Sequence, residues 1–254
     1  MSGRELLIYL SIKYEGDFER ILKAIKAKED ATEEVVKKEV ATIKSNVITI
    51  IDKEYPEELK HINMPPLVLY YYGDISLLNS KMRLAVVGSR EASEYGIKMT
   101  KSIVQDIANK VTVVSGLARG IDAIAHKTVI DNHGRTIGIL GCGIDYVYPK
   151  ENDGLYTTIK KNHLLLSEYP NLTKPKPDYF PMRNRIIAGV AQKVLVTEAY
   201  KNSGTNITVL FALKQGKDVL AVPYPADANS SANKLIQDGA FLVETGEEVL
   251  YLMK

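Results

Sequence analysis

The sequence predicts a doubly wound α/β fold, in which helices cover both faces of a mostly parallel sheet. The observations that predict it lie in residues 83–119. Two apolar runs, at 84–87 and 111–114, each stop at a glycine turn, as buried parallel strands do. Between them, apolar side chains recur at helical spacing from Tyr95 to Ile107. Strand, glycine turn, helix and strand in this order form the βαβ unit of a parallel sheet.

Composition excludes several classes of protein. The chain has 254 residues, a formal net charge of +2 and one cysteine, Cys142. A charge this small means that any nucleic-acid surface has to be local. One cysteine cannot build a disulfide framework or a cysteine zinc site, and the 4 histidines lack ligand spacing. Because no apolar stretch approaches the roughly 20 residues that span a bilayer, we expect a soluble, cytoplasmic protein with no membrane association, metal or cofactor.

The first part of the chain is predicted to form short helices. Leu6, Leu7 and Leu10 mark an apolar helical face, whereas residues 26–44 are charge-dense and indicate a solvated helix or a linker. Strands are predicted at 47–51 and 67–72. We accordingly divide the chain into a small helical segment, residues 1–45, and a main domain, residues 46–254.

From residue 83 onward, the same alternation of strand and helix continues. Each apolar run stops at a glycine or a polar residue, and a helical pattern follows it. Further strands are predicted at 136–140, 164–166, 194–196, 219–222 and 241–243, and helices at 119–132, 151–161, 206–215 and 233–237, with another from residue 186. The sequence thus predicts six or seven parallel strands in a doubly wound sheet.

Glycine and polar residues cluster where these strands end, and in an open parallel sheet such ends line one ligand-binding crevice. Ser89 and Arg90 follow the first strand and precede a helix. Free N–H groups and the dipole at a helix N-terminus favour an anion, so we predict a phosphate-binding turn there. Gly88 is not followed by the other glycines of the dinucleotide fingerprint, and no Walker A motif is present. A classical NAD enzyme or P-loop ATPase is therefore not expected.

A second informative stretch covers residues 169–189, where prolines hold the first half extended. Cations tracking a backbone and flat rings stacking on bases are what a single strand of nucleic acid requires. Arg183 and Arg185 are predicted on the first turn of the following helix, where the dipole disfavours cations, so an anionic ligand is the better explanation for them. The alternative is a proline-rich surface loop that ion pairs hold in place. The cations are Lys174, Lys176, Arg183 and Arg185, and the rings are Tyr169, Tyr179 and Phe180.

Two carboxylates also lie at strand ends. Glu168 and Glu198 either face each other across the crevice or fix loops and helix ends. Cys142 lies between two glycines with no base placed beside it, so we expect a packed side chain and not a nucleophile.

Several ordered motifs resemble one known family. VVGSR, VVSGLARGIDAIAH, TIGILGCGIDYVYPKEN, LLSEYP, FPMRNRIIAG and SGTNIT resemble the DNA-processing protein A (DprA/Smf) family, over about residues 55–250. The resemblance implies a Rossmann-like domain that binds single-stranded DNA without catalysis, protects incoming strands in natural transformation and loads the RecA recombinase. It also implies a homodimer. Against the longer helical domain of many relatives, residues 1–45 look reduced, and no C-terminal winged-helix domain is expected.

The resemblance also implies which residues make contacts. Phe180 would stack a base, Arg183, Asn184 and Arg185 would hold phosphates or shape the pocket, and Lys174 and Lys176 would flank it. The other implied DNA contacts are Arg90, Gly116, Arg119, Ser203, Gly204 and Asn206. The implied dimer surface is Leu235, Ile236 and Phe241, although core packing is an equal explanation for the first two.

The competing class is an enzyme. Phosphoribohydrolases of the lysine-decarboxylase-like kind share this general fold and carry a PGGxGTxxE segment. This chain has Ser203-Gly204-Thr205 with Glu198 before it, and lacks both the double glycine and the following glutamate. We therefore expect a DNA-binding protein that is not an enzyme.

Overall fold

A mixed sheet runs through the centre of the computed structural model, which describes residues 2–201, 203–226, 228 and 230–254. Within those residues the sheet has nine strands in the order β1-β2-β6-β5-β4-β3-β7-β8-β9. They are β1 Asn46–Thr49, β2 Val68–Gly73, β3 Arg83–Gly88, β4 Thr112–Ser115, β5 Arg135–Leu140, β6 Leu164–Ser167, β7 Lys193–Glu198, β8 Val219–Ala221 and β9 Phe241–Leu242.

The strands from β3 to β9 are parallel, and β1 and β2 add an antiparallel pair at one edge. From β3 the chain proceeds through β4 and β5 to β6 on one side. It then returns to place β7, β8 and β9 on the other side of β3. This reversal is the doubly wound arrangement, and the prediction of a doubly wound, mostly parallel Rossmann-like sheet is confirmed.

Helices connect the strands and cover both faces. They are α1 Gly3–Lys13, α2 Phe18–Lys26, α3 Glu33–Val40, α4 Glu57–Lys60, α5 Glu94–Ile107, α6 Ile121–Asp131, α7 Asp153–Asn162, α8 Tyr179–Val190, α9 Gly204–Lys214, α10 Ala232–Gln237 and α11 Gly246–Leu252. The sequence did not predict α11. It also placed Arg183 and Arg185 on the first turn of a helix, which is wrong because α8 begins at Tyr179.

The continuous apolar runs are explained by burial on both faces of the sheet. In β3, Leu84 and Val86 pack with α5, α6 and α11 on one face. Ala85 and Val87 pack with α4, α8 and α9 on the other face. Because successive side chains of a strand point to opposite faces, a strand covered on both sides has no polar position until it ends. The polar groups are thereby concentrated at the strand ends.

The helices α1 to α3 pack on the sheet beside α7. Ser2 closes α1 with a capping box, and buried residues such as Ile8 and Ile21 share a core cluster with β2 and α7. The charge-dense stretch at 26–44 contains α3, whose Val36 is fully buried in that cluster. The turn between α1 and α2 reaches the extended chain that precedes α8, as described below.

Candidate nucleic-acid interface

A cleft opens where the winding of the sheet reverses, beyond the carboxyl ends of β3 and β7. Neighbouring parallel strands whose connections lead to opposite faces leave such a crevice between their following loops. Its volume is about 630 Å³. The turn after β3, the start of α8 and the start of α9 supply most of its lining, including Arg90, Phe180, Asn184 and Gly204.

Gly88 allows three elements to meet at the end of β3. A Cβ atom at this position would lie 2.5 Å from Cγ1 of Ile121 on α6 and 2.7 Å from the Glu198 carbonyl oxygen on β7. Ser89 then folds the turn: its buried hydroxyl accepts from the Glu91 N–H at 3.0 Å and donates to the Glu91 carbonyl at 2.9 Å. The side chain of Ser89 lines the cleft, but its hydrogen bonds are used within the turn. The expectation that this hydroxyl contacts a phosphate stays a prediction, and its bonds within the turn favour a structural role.

At the N-terminus of α5, a carboxylate of the protein itself occupies a backbone N–H donor. Fully buried Glu198 accepts a hydrogen bond from the Ser93 N–H at 3.0 Å and another from the Tyr200 hydroxyl at 2.8 Å. Ser93 also caps the helix through the Gly96 N–H. The helix terminus after β3, where the sequence predicted a bound phosphate, thus carries a carboxylate from β7. Of the two roles considered for Glu198, the structure gives it the loop-fixing one.

The N-terminus of α9 faces the cleft instead. Ser203, Gly204 and Thr205 line the cleft at this helix end. The N-cap Ser203 makes no side-chain capping bond, and within the described residues its buried hydroxyl oxygen has no hydrogen-bond partner. Asn206 does not line the cleft; its amide donates to the Tyr200 carbonyl at 3.4 Å and its oxygen accepts from Ser231. The DNA contact expected of Asn206 stays a prediction, and these two bonds give the side chain a structural role next to the cleft.

Exposed Arg90 and half-buried Phe180 lie next to each other in the cleft wall. Arg90 is exposed, and it forms no ion pair within the part of the chain that the structure describes. Its guanidinium carbon lies 5.6 Å from the centroid of the Phe180 ring. Gly141, at the end of β5, lets that ring approach, because a Cβ there would lie 2.8 Å from Cδ1 of Phe180. A cation and a flat ring are thus held side by side at the mouth of the cleft.

Arg183 is a buried side chain at the floor of the cleft, where it joins the backbone of two neighbouring strands. It is 4% exposed, and Nη1 donates to the Gly116 carbonyl at 2.5 Å and to the Ile139 carbonyl. A Cβ at Gly116 would lie 2.5 Å from the guanidinium, so Gly116 serves to admit this side chain. Buried Asp122 accepts from the Gly116 N–H at 3.1 Å, and burial raises the pKa of Asp122 against the opposing charge of Arg183. These contacts suit the pocket-shaping role inferred for Arg183, which lines the cleft, and its contact with a phosphate stays a prediction.

Arg185 is enclosed and does not reach the cleft. It is 1% exposed, and Nη2 lies 2.6 Å from Oε1 of buried Glu168. Its other nitrogens donate to the carbonyls of Met64 and Met182. The inference that an anionic ligand explains Arg185 is wrong, since the anion is Glu168 of the same chain. Asn184 does line the cleft, and its amide donates to the Gly204 carbonyl at 3.3 Å, which ties α8 to the start of α9.

The remaining predicted cations surround the cleft without lining it. Arg119 is exposed and pairs with Glu151 at 2.6 Å. Lys174 is exposed and forms no ion pair among the described residues. Lys176 lies 2.5 Å from Glu15, in the turn between α1 and α2. The ion pair of Lys176 is of the kind that the surface-loop alternative expects, whereas contact of this stretch with nucleic acid stays a prediction.

One aromatic residue next to the site was missed by the sequence analysis. Tyr148 follows β5 and its ring centroid lies 5.5 Å from that of Phe180. Its position in the sequence could have indicated this, because the loop after β5 begins at the same edge of the sheet as the turns after β3 and β4. Cys142, in the same loop, is buried, and burial raises the pKa of its thiol to about 12. It packs as expected.

Neither a metal centre nor a membrane span is found in the described part of the chain. Across residues 2–201, 203–226, 228 and 230–254, no three histidine, cysteine or acidic side chains lie together so that they could hold a metal ion. No helix among these residues combines the length and the hydropathy needed to cross a bilayer.

Comparison with known proteins adds independent information. Residues 46–254 match the family model of DNA recombination-mediator protein A. The DNA processing protein DprA of Streptococcus pneumoniae is 42% identical over 204 residues, which are 80% of this chain and 72% of that protein. The DprA of Bacillus subtilis is 41% identical over 208 residues, or 80% of this chain and 70% of the relative.

Two solved structures are similar over most of the chain. The X-ray structure of DNA processing protein A from Streptococcus pneumoniae superposes with a TM-score of 0.87 at 34% identity, covering 100% of this chain and 99% of that one. The structure of DNA processing protein A from Helicobacter pylori, solved to describe its single-stranded DNA binding mode, gives a TM-score of 0.74 at 27% identity, with coverage of 83% and 95%.

Proposed function

The chain belongs to the DNA recombination-mediator protein A family, and from this premise we propose that it is a DNA-processing protein that binds single-stranded DNA in the cleft beyond β3 and β7. The observation that carries the proposal is the pairing of exposed Arg90 with the Phe180 ring at the mouth of that cleft. Arg90 supplies an unpaired cation for a phosphate, and Phe180 supplies a flat face for a base.

The N-terminus of α9 provides a second place for a phosphate. Its N–H groups begin at Gly204 and Thr205, which line the same cleft as Phe180. A helix N-terminus with free donors favours an anion. Two phosphate positions and an aromatic ring in one cleft suit a strand whose bases are unstacked. Both bases of a duplex pair are already stacked on their neighbours and hidden in the helix, so duplex DNA is excluded from this arrangement.

Binding is expected to be independent of sequence. Two of the polar side chains that line the cleft are already engaged, since Asn184 donates to Gly204 and Ser89 bonds within its own turn. Stacking accepts every base. With a net charge of only +2, the electrostatic part of the affinity rests on a few local cations, including Arg90 and Lys174.

We extend the proposal to the role that the family resemblance implies. The protein would protect incoming single strands in the cytoplasm and load the RecA recombinase onto them during recombination and natural transformation. What supports this step is physical: a cleft of about 630 Å³ holds a short stretch of the strand and leaves the rest free for a second protein. A RecA strand-exchange assay on strands pre-bound by this protein tests it, with stimulation as the expected result.

The edge of the sheet at β9 is the proposed homodimer surface. Phe241 and Leu242 are 45% and 48% exposed on this terminal strand, and Ile236 is half-buried on the adjacent α10. Leu235 packs against the core, so we assign it mainly a packing role. An exposed apolar edge strand is a template for pairing with a second copy. Light scattering should give a dimer for the wild type and a monomer for Leu242→Arg, whereas Ile51→Arg, beyond β1 at the opposite edge, should stay dimeric.

A catalytic role is not proposed. The two strand-end carboxylates considered from the sequence are engaged, Glu168 by Arg185 and Glu198 by Ser93 and Tyr200. Incubation with AMP tests the phosphoribohydrolase alternative, and release of adenine would favour it.

The deciding experiment is fluorescence anisotropy of labelled oligothymidine with the wild-type protein, with a duplex of equal length as the comparison. We expect tight single-strand binding and much weaker duplex binding. Equal affinity for the two, or no binding to either, would contradict the proposal.

A further inference from the structure

The loop between β5 and α7 presents an exposed aromatic ring beside the cleft. Tyr148 is 45% exposed. Its ring centroid lies 5.5 Å from that of Phe180, with 39° between the ring planes. Tyr148 is not among the residues that line the cleft, so its ring extends the aromatic surface of the site outward from Phe180.

The backbone that carries Tyr148 is fixed by the extended chain before α8. The N–H of Gly143 donates to the Thr173 carbonyl at 2.8 Å, and the N–H of Asp145 donates to the Asn171 carbonyl at 3.0 Å. These bonds couple the two segments that carry Tyr148 and Phe180. The backbone that leads to Tyr148 is therefore ordered before any ligand arrives, and the ring rests against Phe180, which lowers the ordering cost of binding.

Internal packing does not account for the exposed ring of Tyr148. Tyr95, a comparably exposed tyrosine, packs edge-on against Tyr224 and donates its hydroxyl to the Pro223 carbonyl at 3.0 Å. The hydroxyl of Tyr148 has no hydrogen bond to any described residue, and its ring packs against that of Phe180. An exposed ring whose aromatic neighbour is a binding residue is placed for the ligand of that residue.

We propose that Tyr148 is a second stacking surface, which receives the base adjacent to the one on Phe180; this inference rests on the proposed single-stranded DNA binding. The 39° tilt means that the two rings cannot receive two parallel, stacked bases. They present diverging faces, which a flexible single strand can follow by splaying neighbouring bases apart. Tyr148 thus selects against helical, stacked conformations of the strand.

Substitutions at position 148 separate stacking from charge. Tyr148→Ala should weaken binding of oligothymidine about tenfold, because one stacked base is lost. The salt dependence should stay the same, since no cation is removed. Tyr148→Phe keeps the ring and should bind as the wild type does. Thermal unfolding of each variant serves as the check on folding, and an exposed side chain should leave it unchanged.

A tryptophan at this position gives a direct readout, because the chain contains none. Titrating Tyr148→Trp with oligothymidine should quench the tryptophan emission in step with binding, as a base stacks on the indole. Tyr251→Trp, on α11 at a position that is 76% exposed and outside the cleft lining, should show no quenching.

The outcomes distinguish the two proposals. If the wild type binds single strands while Tyr148→Ala binds equally well and Tyr148→Trp is not quenched, then Tyr148 is an ordinary surface residue. The inference is then overturned and the proposed function stands. If the wild type fails to bind single strands at all, both are overturned.

Discussion

Arg185 and Glu168 form an ion pair inside the protein, with 2.6 Å between the guanidinium Nη2 and the carboxylate Oε1. The two side chains are 2% and 5% exposed. The other nitrogens of Arg185 donate to the carbonyls of Met64 and Met182, so the guanidinium is fully engaged. The pair joins the middle of α8 to the residue that follows β6.

Breaking this pair should cost stability and not only affinity. Arg185→Met leaves the Glu168 carboxylate buried without a partner, so we expect the free energy of unfolding to fall by about 3–5 kcal/mol. The double variant Arg185→Met with Glu168→Leu should recover most of that loss, because neither charge is then buried alone. Urea unfolding measures both. If Arg185→Met kept its stability but bound DNA poorly, Arg185 would contact DNA directly, and its assigned role in holding the fold would be wrong.

Arg90→Ala should weaken binding to every single-stranded sequence. Arg90 is the exposed cation beside Phe180, and the loss of one phosphate contact should lower the slope of log K against log salt by about 0.7. The measurement is anisotropy of labelled oligonucleotides at several salt concentrations. Arg135→Ala is the matched control, since this exposed arginine begins β5 at the opposite end of the strands. Equal effects of the two variants would mean that only net charge matters.

Phe180→Ala should weaken binding by about 1–3 kcal/mol through the loss of a stacked base, and it should leave the salt slope nearly intact. In salt titrations, Phe180→Ala should change the affinity alone, whereas Arg90→Ala should change both the affinity and the salt slope. A flattened slope for Phe180→Ala would show that the ring acts mainly by positioning Arg90, which it contacts at 5.6 Å.

Gly116→Ala should destabilise the floor of the cleft. The new Cβ would lie 2.5 Å from the Arg183 guanidinium, which cannot retreat because it donates to the Gly116 and Ile139 carbonyls. Overpacking of this kind costs roughly 1–3 kcal/mol. Gly154→Ala, in α7 with nothing within 4 Å of the added atom, should be neutral or stabilising by up to about 1 kcal/mol. Thermal unfolding of the two variants compares them, and equal melting temperatures would contradict the assigned role of Gly116.

Stability should fall as the solution becomes acidic, in part because of His126. This side chain is fully buried, with Nδ1 2.6 Å from the Thr136 hydroxyl, and burial lowers its pKa from 6.5 to about 3. Below pH 6.5 the unfolded chain therefore binds a proton at His126, whereas the folded chain keeps this side chain neutral. The contribution of His126 to the free energy of unfolding is present above pH 6.5. Below that pH it falls by about 1.4 kcal/mol per pH unit, until the folded pKa is reached.

Urea unfolding at pH 7, 6 and 5 measures this dependence. Between pH 6.5 and 5 the loss from His126 should approach about 2 kcal/mol. His126→Gln removes the titration, so the variant should have a lower stability at pH 7 but a flatter profile. A profile as steep as that of the wild type would mean that His126 does not contribute.

Local sequence features predicted the architecture well, because they act over short distances. The apolar run that includes Leu84 and Val86 reflects burial of the strand on both faces. It ends at Gly88 because neighbouring elements leave no room for a side chain there. The crevice at the strand ends followed from topology alone. Phe180 and Arg90 were placed at it correctly, since both lie next to a strand end or a helix start.

The use of the charged side chains could not be predicted in the same way. Arg185 meets Glu168 and Met64, which lies 121 positions away in sequence, and only the folded chain shows that its charge is already balanced. The early start of α8 was missed because Pro181 suggested an extended chain. In the first turn of a helix, however, a proline removes no hydrogen bond.

The carboxylate of Glu198 at the start of α5 has a consequence for competition inside the cell. Helix ends of this kind attract ATP, NAD and related metabolites, which are abundant wherever DNA is handled. Here the Ser93 N–H already donates to a carboxylate that belongs to the protein, and that negative charge opposes a second anion at the same helix end. We therefore expect soluble nucleotides to compete poorly for this end of α5.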